Sequence, residues 1–475
     1  MGDTSPTRYR FGPLERRGLV AGWRGGQIGV VAIALVVGVG VLRASASAIG
    51  VVGAVMALGI GVGVATWPLA GRTAEQWAPD AWRHLVALGL RSRRGPGPFT
   101  GVRLIRVDPG TSGADGAAGR GTAGIGVFHD RSRRTFTAVL GVSVSGFVLL
   151  GDADKVRRVD AWSGVLASLA RDGSAVHRLQ WVERVVPDGV PPGTAPVERG
   201  NEWAGLGSAR ASYEALVTAE GHVSLHHEVL LAVSVHAGRS ARAVRSAGGG
   251  DAAACAVVLR EVAALRRRLT DASIDVGAVL SPDRLAATVR EAYGIGRASH
   301  PAGDLWPWPM GVAAQWGRFR ADGTWHATYW VAEWPRTDAG PDFLGPLLLS
   351  SEVRRTMAVV MEPLGPIEAA RKVERARTSD IADAELRRRG GFLATARRRR
   401  EEEILASREL ELADGHAQYR FSGYMTVTAA DPDELEEACG RVEQAAGQAG
   451  LELRRCYGDQ ANTFLCTLPL GRGLS

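Results

Sequence analysis

The longest apolar stretch of the chain runs from Gly25 to Ala70 and contains one charged side chain, Arg43. A single helix over this stretch would be about 69 Å long, more than twice the thickness of a bilayer core. The polar sequence RASAS, which begins at Arg43, divides the stretch into segments 25–42 and 48–70. Each segment is close to the roughly 20 apolar residues that cross a bilayer. The pattern predicts a transmembrane hairpin of two antiparallel helices over 25–70.

A cleaved signal peptide is the alternative for this region. The chain starts with a basic segment, continues with an apolar one, and then has ASASA, which resembles a cleavage site. Against cleavage, the next 23 residues are again apolar and would form a second span. Arg43 lies at the end of the first span, where its long side chain can reach the interface.

Basic residues on the flanks of the hairpin predict its orientation. Arginines are frequent before the first span and after the second, whereas the turn has only Arg43. Because basic flanks stay on the cytoplasmic side, both termini are expected in the cytoplasm, with a multi-pass chain in the plasma membrane. We expect 1–24 to be a basic N-terminus and 71–98 to be a juxtamembrane amphipathic helix and linker. The expected membrane-flanking residues are Arg16, Arg17, Arg24, Arg43, Trp67, Arg72 and Trp77.

Beyond residue 98 the pattern alternates between strands and helices. VRLIRV, a hairpin from Ile125 and AVHRLQWVERVVP have the alternation of strands, and 155–171 has helical spacing. A second hairpin turns at Asp322–Gly323, and 366–411 is a long charged helical stretch. The pattern predicts a large cytoplasmic α+β domain with antiparallel sheets over 99–475, either compact or in two halves, 99–300 and 301–475.

The C-terminal 60 residues show the same alternation of predicted strands and helices. YRFSGYMTVTAA is a predicted strand, and the helix after it begins with Asp431 as N-cap and Pro432 at its first position. LELRRCYG and ANTFLCTLPL are then expected to be strands. Another helix is expected to start at Ser281 and Pro282 for the same reason.

Composition narrows the range of functions only slightly. The formal net charge is +7, and all but two of the 57 basic residues are arginine. Arginine is scattered through every segment, as in proteins of GC-rich genomes, so we do not expect direct contact with nucleic acid. None of the four cysteines forms a CxxC pair, which favours free, buried thiols in a reducing compartment.

Motifs for catalysis are missing from the sequence. Neither lysine, Lys155 or Lys372, follows a glycine as in GxxxxGK[ST], so an ordinary P-loop ATPase is excluded. No GxSxG, HExxH or CxxC occurs, and HVSLHHEVLLAVSVH spreads its histidines along a strand. We therefore expect no enzymatic activity, no cofactor and no bound metal. A partner surface is expected instead, and its candidates are Trp306, Trp308, Arg397 and Arg400, although most tryptophans near 306–334 would be core.

Two segments resemble components of conjugation machines. YRFGPLERRGLVAGWRGGQ, the hairpin and GRTAEQWAPDAWR resemble an actinobacterial integral membrane family with a PrgI-like hairpin, found with type IV secretion-like genes. Residues 409–474, which end in LPLGRGL, resemble the non-catalytic N-terminal domain of the conjugation ATPase. No catalytic residue carries over, because the matching region has none.

The resemblance implies a non-enzymatic membrane scaffold of a type IV secretion-like or conjugation-like system in a bacterium. Its partners would be a separate conjugation-type ATPase, other membrane subunits and the lipid bilayer, and it would form homo-oligomers. One alternative is a type VII secretion membrane subunit of EccE type, which also pairs two N-terminal spans with a cytoplasmic domain. The other is a membrane-anchored enzyme, which would need a polar pocket with perturbed titratable groups.

Overall fold

The fold is taken from a computed structural model of the chain. The residues that the structure describes are 25–44, 47–66, 81, 99, 101–108, 124–142, 150–171, 173–187, 225–294, 306–335, 339–349, 353–375, 377–378, 406, 410 and 417–474.

Two apolar helices come first, α1 (Gly25–Ala44) and α2 (Ala48–Thr66). They lie against each other as an antiparallel pair, and the break between them falls at the predicted RASAS sequence. Helix α1 continues past residue 42 to Ala44, so Arg43 is in its last turn. The predicted end of the second segment, 67–70, lies outside the described residues.

In the described part of the chain beyond α2, one antiparallel sheet of twelve strands forms the centre of the fold. The strands are β1 (Val102–Val107), β2 (Ile125–Asp130), β3 (Thr135–Val142), β4 (Val176–Pro187), β5 (Leu225–His236), β6 (Val276–Val279), β7 (Val312–Ala314), β8 (Phe319–Ala321), β9 (Thr324–Glu333), β10 (Arg355–Leu364), β11 (Gln418–Ala429) and β12 (Glu452–Arg455). Their order is β1-β2-β3-β5-β4-β10-β11-β9-β8-β7, while β6 also pairs with β3 and β12 with β9. The predicted antiparallel α+β architecture is therefore confirmed, and the turn at Asp322–Gly323 lies between β8 and β9 as predicted.

Further helices lie between the strands in the described residues. The helices are α3 (Asp152–Leu169), α4 (Ala241–Ser246), α5 (Gly250–Asp271), α6 (Pro282–Ala292), α7 (Gly345–Leu348), α8 (Pro432–Gln448) and α9 (Gln460–Phe464). Ser281 caps α6 by accepting from the Arg284 N–H, and Asp431 caps α8 by accepting from Asp433 and Glu434. Both predicted caps are confirmed, because a short polar side chain before a first-turn proline satisfies free N–H groups.

The pairing of β4 with β10 joins the two predicted halves. Strands β1–β6 come from 99–300 and β7–β12 from 301–475, and between the halves β4 lies beside β10 with Trp181 opposite Val359. The pairing is antiparallel and runs from Thr356 to Met361 on β10. The halves thus share one sheet, and their division into two domains stays a prediction.

Alternate residues of the strands build cores on the two faces of the sheet. On the first face, helices α3 and α5 cover β2–β5 and helices α7 and α8 cover β9–β11. Trp181 contacts both of these clusters, so it lies where they meet. On the second face, α6 packs on residues such as Phe128, Val139 and Ala232. Strands that are buried at nearly every position, such as β3, are covered on both faces.

The sequence ANTFLCTLPL is not a strand, contrary to the pattern. Its first residues belong to α9, and residues 465–474, which we call the C-terminal segment, cross the second face without ladder bonds of their own. Side chains of the sheet bind its backbone instead. Most of the predicted helical stretch 366–411 lies outside the described residues, although 366–375 is helical.

Gln180 of β4 holds the C-terminal segment at three backbone atoms. Its Nε2 donates to the carbonyls of Cys466 (2.8 Å) and Leu468 (2.9 Å), and its Oε1 accepts from the Gly471 N–H (2.7 Å). The side chain is fully buried, so the amide replaces the water that these backbone groups would otherwise need.

Replacing Gln180 by alanine should therefore destabilise the protein. We expect the Gln180→Ala variant to lose about 3 kcal/mol of unfolding free energy, since three buried backbone groups lose a partner. Urea denaturation of the full chain in detergent micelles, followed by tryptophan fluorescence, measures the loss. The exposed Gln448→Ala is the matched control and should change it by less than about 0.5 kcal/mol. An equal effect of both substitutions would contradict this role of Gln180.

Candidate membrane and partner-binding surfaces

The two apolar helices pack through small residues. Ala34 and Gly38 of α1 face Gly61 and Ala54 of α2, and all four are buried in the pair. A Cβ atom on Gly61 would collide with the Cβ of Ala34, and one on Gly38 would lie 3.4 Å from the carbonyl oxygen of Ala54. Close approach through small side chains is how helices associate in lipid, where the hydrophobic effect does not drive them together.

The outward faces of the same pair are apolar. Ile33 is 67% exposed and Ile49 is 83% exposed, and the mean hydropathy of α2 is high enough for a membrane span. By length and composition α2 qualifies as a span, whereas the apolar part of α1, Ile28–Ala44, is slightly short of the same limit. In water such a surface would be a large exposed apolar patch, which monomeric soluble proteins rarely carry.

Of the expected membrane-flanking residues, the structure describes Arg43 alone. Its side chain is exposed at the last turn of α1, where a basic residue also suits the negative end of the helix dipole. The other membrane-flanking residues lie outside the described residues: Arg16, Arg17, Arg24, Trp67, Arg72 and Trp77. Two of the expected partner-surface residues, Arg397 and Arg400, also lie outside them.

The remaining two partner-surface candidates have different environments. Trp308 is 2% exposed and stacks on Phe99 at a centroid distance of 5.2 Å, so its ring belongs to the core. Trp306 is 52% exposed and lies two residues away. A role of Trp306 in binding a partner stays a prediction.

An apolar groove lies on the first face of the sheet, above the pairing of β4 with β10. Its volume is about 490 Å³, and Trp181 and Val359 form its floor. The aromatic rings that line it are those of Trp162, Trp181, Trp334, Phe343, Tyr419 and Phe421. The Tyr419 hydroxyl donates to the Leu166 carbonyl (2.6 Å), and burial raises the pKa of this phenol, so it is not a free acid or base. The groove can take up an apolar group, but it brings no reactive side chains together.

A buried ion-pair cluster lies on the second face, between the sheet and α6. Arg184 binds the carboxylates of Glu228 and Glu291 (2.7 Å for Glu291), and Arg284 also donates to Glu228 (2.8 Å). Burial alone would raise the pKa of Glu228, but Arg184 and Arg284 outweigh it and hold that pKa below its ordinary value. The carboxylate therefore stays ionised and links α6 to β4 and β5, which is a structural role.

Histidines do not form a metal site in the described part of the chain, where no three His, Cys, Asp or Glu side chains are grouped to hold a metal. His227 binds Glu183 through Nδ1 (2.8 Å). His326 is fully buried between Phe319 and Phe464, and burial lowers its pKa to about 3, so the ring is neutral at physiological pH. These histidines pack and pair with neighbours rather than converge on one point.

Sequence reasoning missed the groove and the polar residues that bind the C-terminal segment. A groove forms where the helices leave part of the sheet uncovered, and the spacing of apolar residues in the sequence does not indicate where that is. The polar residues of the second face had a signal, since Arg178, Gln180 and Arg184 lie at even positions of β4 and all three are buried. Such a row within a core strand indicates a polar backbone packed against it.

Part of the chain matches a known family. Residues 223–331 match the family model described as a putative type VII ESX secretion system translocon, EccE. The matched region extends from the beginning of β5 into β9 and is less than a quarter of the chain. It indicates a membrane-associated family of secretion systems, and gives no specific support to the PrgI-like or type IV resemblance. No curated protein matches the chain.

The small-residue contact between α1 and α2 can be tested by enlarging a glycine. We expect Gly61→Ile to separate the helices, because its side chain would occupy the space of Ala34. Gly59→Ile is the matched control, since a Cβ there meets nothing within 4 Å. The reporter is a disulfide between V41C and G53C, positions in contact across the pair, detected by mass spectrometry after trypsin cleaves at Arg43.

The control should form the disulfide as fully as the parent, and Gly61→Ile should lower its yield several-fold. Equal yields in the two variants would show that the helices do not meet at Gly61.

Proposed function

We propose that this protein is a non-catalytic membrane subunit of a type VII-like secretion translocon, of EccE type. The observation that carries the proposal is the match of residues 223–331 in a chain that begins with two packed apolar helices. The wide antiparallel sheet supports a scaffold, because it offers large faces and edges on which partners can bind.

In this proposal α1 and α2 form a hairpin that spans the plasma membrane twice. The small-residue interface lets the two helices associate in lipid, and their outer faces contact acyl chains. The basic flanks support an orientation with both termini in the cytoplasm and Arg43 at the external interface. A reporter fused after Ser475 that is active only outside the cell would contradict this orientation.

The sheet domain would hold other subunits of the translocon in place at the membrane. A separate P-loop ATPase is one expected partner, since a secretion machine needs an energy source and this sequence has no Walker A motif. Copies of the chain itself and other membrane subunits are further expected partners.

The buried ionisable groups of the described residues support a structural role for the domain. Glu228 and Glu362 are each neutralised by two or more arginines, and His326 is neutral within an aromatic cluster. In an enzyme, groups with shifted pKa values converge on a cleft. Here they lie in separate places between packed elements.

A scaffold of a type IV secretion-like system is the second candidate. One specific observation favours it, the resemblance of residues 409–474 to the domain that precedes the motor of conjugation ATPases. In the structure these residues contribute β11, α8, β12 and the C-terminal segment. The two candidates share the membrane hairpin and the scaffold role and differ in the partners that should be found.

Affinity purification of the full chain from native membranes, with partners identified by mass spectrometry, tests the proposal. We expect type VII membrane subunits and their ATPase to be recovered in fixed ratios with the chain. A matched purification with an unrelated two-span protein of the same membrane controls for nonspecific recovery.

Recovery of a conjugation-type ATPase instead would replace the proposal by the type IV candidate. A chain recovered alone, or in the soluble fraction, would contradict both scaffold roles.

A further inference from the structure

Five exposed arginines lie together at one end of the sheet. Here the β2–β3 turn (131–134), the last residues of β5 and the first residues of β4 meet, since Thr135 pairs with His236 and Val176 pairs with Val235. The exposed arginines that define this basic end are Arg103, Arg131, Arg133, Arg134 and Arg239. They come from three separate parts of the chain, so the fold assembles a charge that no single run of the sequence shows.

The acidic groups among these arginines do not offset the exposed charge. Asp130 is buried, where it binds Arg472 (2.6 Å). Glu362 is also buried and accepts from both Arg178 (3.3 Å) and Arg420 (2.9 Å). Each buried carboxylate is therefore already neutralised by arginines other than the five that define the basic end.

Arg239 also donates to Glu362 (2.8 Å), yet its side chain remains 60% exposed. Asp251 is exposed and lies beside His129 (3.5 Å). Its single negative charge is smaller than the positive charge of the five arginines.

The histidines at this end are neutral. Burial is the main cause that lowers the pKa values of His129, His177 and His236, and nearby arginines such as Arg131 and Arg239 lower them further, although Asp251 opposes the shift of His129. A lowered pKa keeps these imidazoles neutral at physiological pH, so the positive charge here is that of the arginines.

The opposite end of the sheet has a different charge. There β11 ends at Ala429 opposite Trp325 of β9, near the turn at Asp322. The exposed carboxylates of Asp431, Asp433 and Glu434 follow directly after β11, and the exposed Arg320 lies at the same end, opposite Trp325. The exposed charge at this end is therefore mixed, whereas that of the basic end is mainly positive.

The chain enters the domain at the basic end. Strand β1 is the first strand after α2, and its first residue, Val102, pairs with Asp130. The Arg131 N–H donates to the carbonyl of Gly101 (2.9 Å), directly beside the arginine-rich turn. Residues 67–101 connect this point with the end of α2, so this end of the sheet is the one tethered to the membrane helices.

We propose that the basic end of the sheet lies against the anionic phospholipid headgroups of the membrane in which α1 and α2 are anchored. This inference rests on the proposed membrane anchor. The cytoplasmic leaflet of a plasma membrane is negatively charged and attracts basic residues within a Debye length, about 10 Å at 0.1 M salt. Contact there would direct the opposite end of the sheet, with Asp431 and Asp433, away from the lipid.

Nucleic acid is a different polyanion that five arginines could bind. The lipid surface is favoured because the chain enters the sheet at this end directly after the proposed membrane anchor, beside which an anionic surface is always present.

The test places a fluorescent donor at either end of the sheet in the full chain, reconstituted in lipid nanodiscs that carry acceptor-labelled headgroups. The donor sites are S132C in the β2–β3 turn and A430C after β11, both exposed. Cys466, the one described cysteine that is not buried, is replaced by serine in each. We expect strong energy transfer from residue 132 and weak transfer from residue 430 in nanodiscs with anionic lipid.

Charge dependence separates lipid contact from mere proximity of the tether. The variant Arg131→Gln, Arg133→Gln, Arg134→Gln should lower the transfer from residue 132 at least two-fold, and so should 0.5 M salt or neutral lipid. The matched control Arg267→Gln, Arg320→Gln, Arg441→Gln removes the same charge from exposed positions elsewhere and should leave the transfer unchanged.

Equal transfer from both ends, or transfer from residue 132 that is indifferent to lipid charge and to the first triple variant, would overturn the inference while leaving the anchor in place. Binding of a labelled DNA duplex that the first variant abolishes, without any lipid dependence, would also overturn it. A chain that does not stay in the nanodisc at all would overturn the proposed anchor and this inference together.

Discussion

The pairing of β4 with β10 joins the two halves of the sheet. It consists of six residue pairs, from Arg184 opposite Thr356 to Leu179 opposite Met361. The helices on the first face stop short of this line from both sides, which leaves the apolar groove over Trp181 and Val359. On the second face the C-terminal segment packs against the sheet, and Gln180 and Arg178 of β4 bind its backbone. If β4 and β10 separated, the groove would lose its floor and the segment would lose its bonds.

Polar side chains are buried on the second face because an irregular segment crosses it. Residues 465–474 have no ladder partner, so their backbone groups need bonds from the sheet. Arg178 donates to the carbonyls of Gly471 (3.2 Å) and Leu474 (2.6 Å), and Tyr424 donates to that of Gly473 (2.5 Å). Gly471 itself has φ of 67°, and a Cβ there would collide with Ser234, so only glycine fits this crossing.

Periodicity and cap signals were enough to predict most elements of the sheet. Ser281 and Asp431 cap the helices that follow them, and strands such as β4 and β11 have the predicted alternation. ANTFLCTLPL was predicted wrongly as a strand, because its apolar residues face the core while its backbone is bound by side chains far away in sequence. The basic end could not be predicted either, since Arg103, the turn 131–134 and Arg239 lie in three separate parts of the sequence and meet only through strand pairing.

The helices and the sheet are suited to different roles. Two apolar helices joined by small residues are suited to a lipid anchor, and one continuous sheet is suited to holding partners at the membrane. The match of residues 223–331 begins in the first half and ends in the second, so the matched region crosses from one side of the β4–β10 line to the other. A scaffold of this kind requires that the two halves move as one body.

Amide hydrogen exchange of the full chain in detergent micelles tests that requirement most directly. If β4 and β10 form one sheet, their amides from 179–184 and 356–361 should exchange as slowly as those of β5 and β11, which flank them. The peripheral strands β1 and β7 should exchange faster. Exchange at β4 and β10 as fast as at β1 and β7, with β5 and β11 still protected, would show two separate halves and contradict the account.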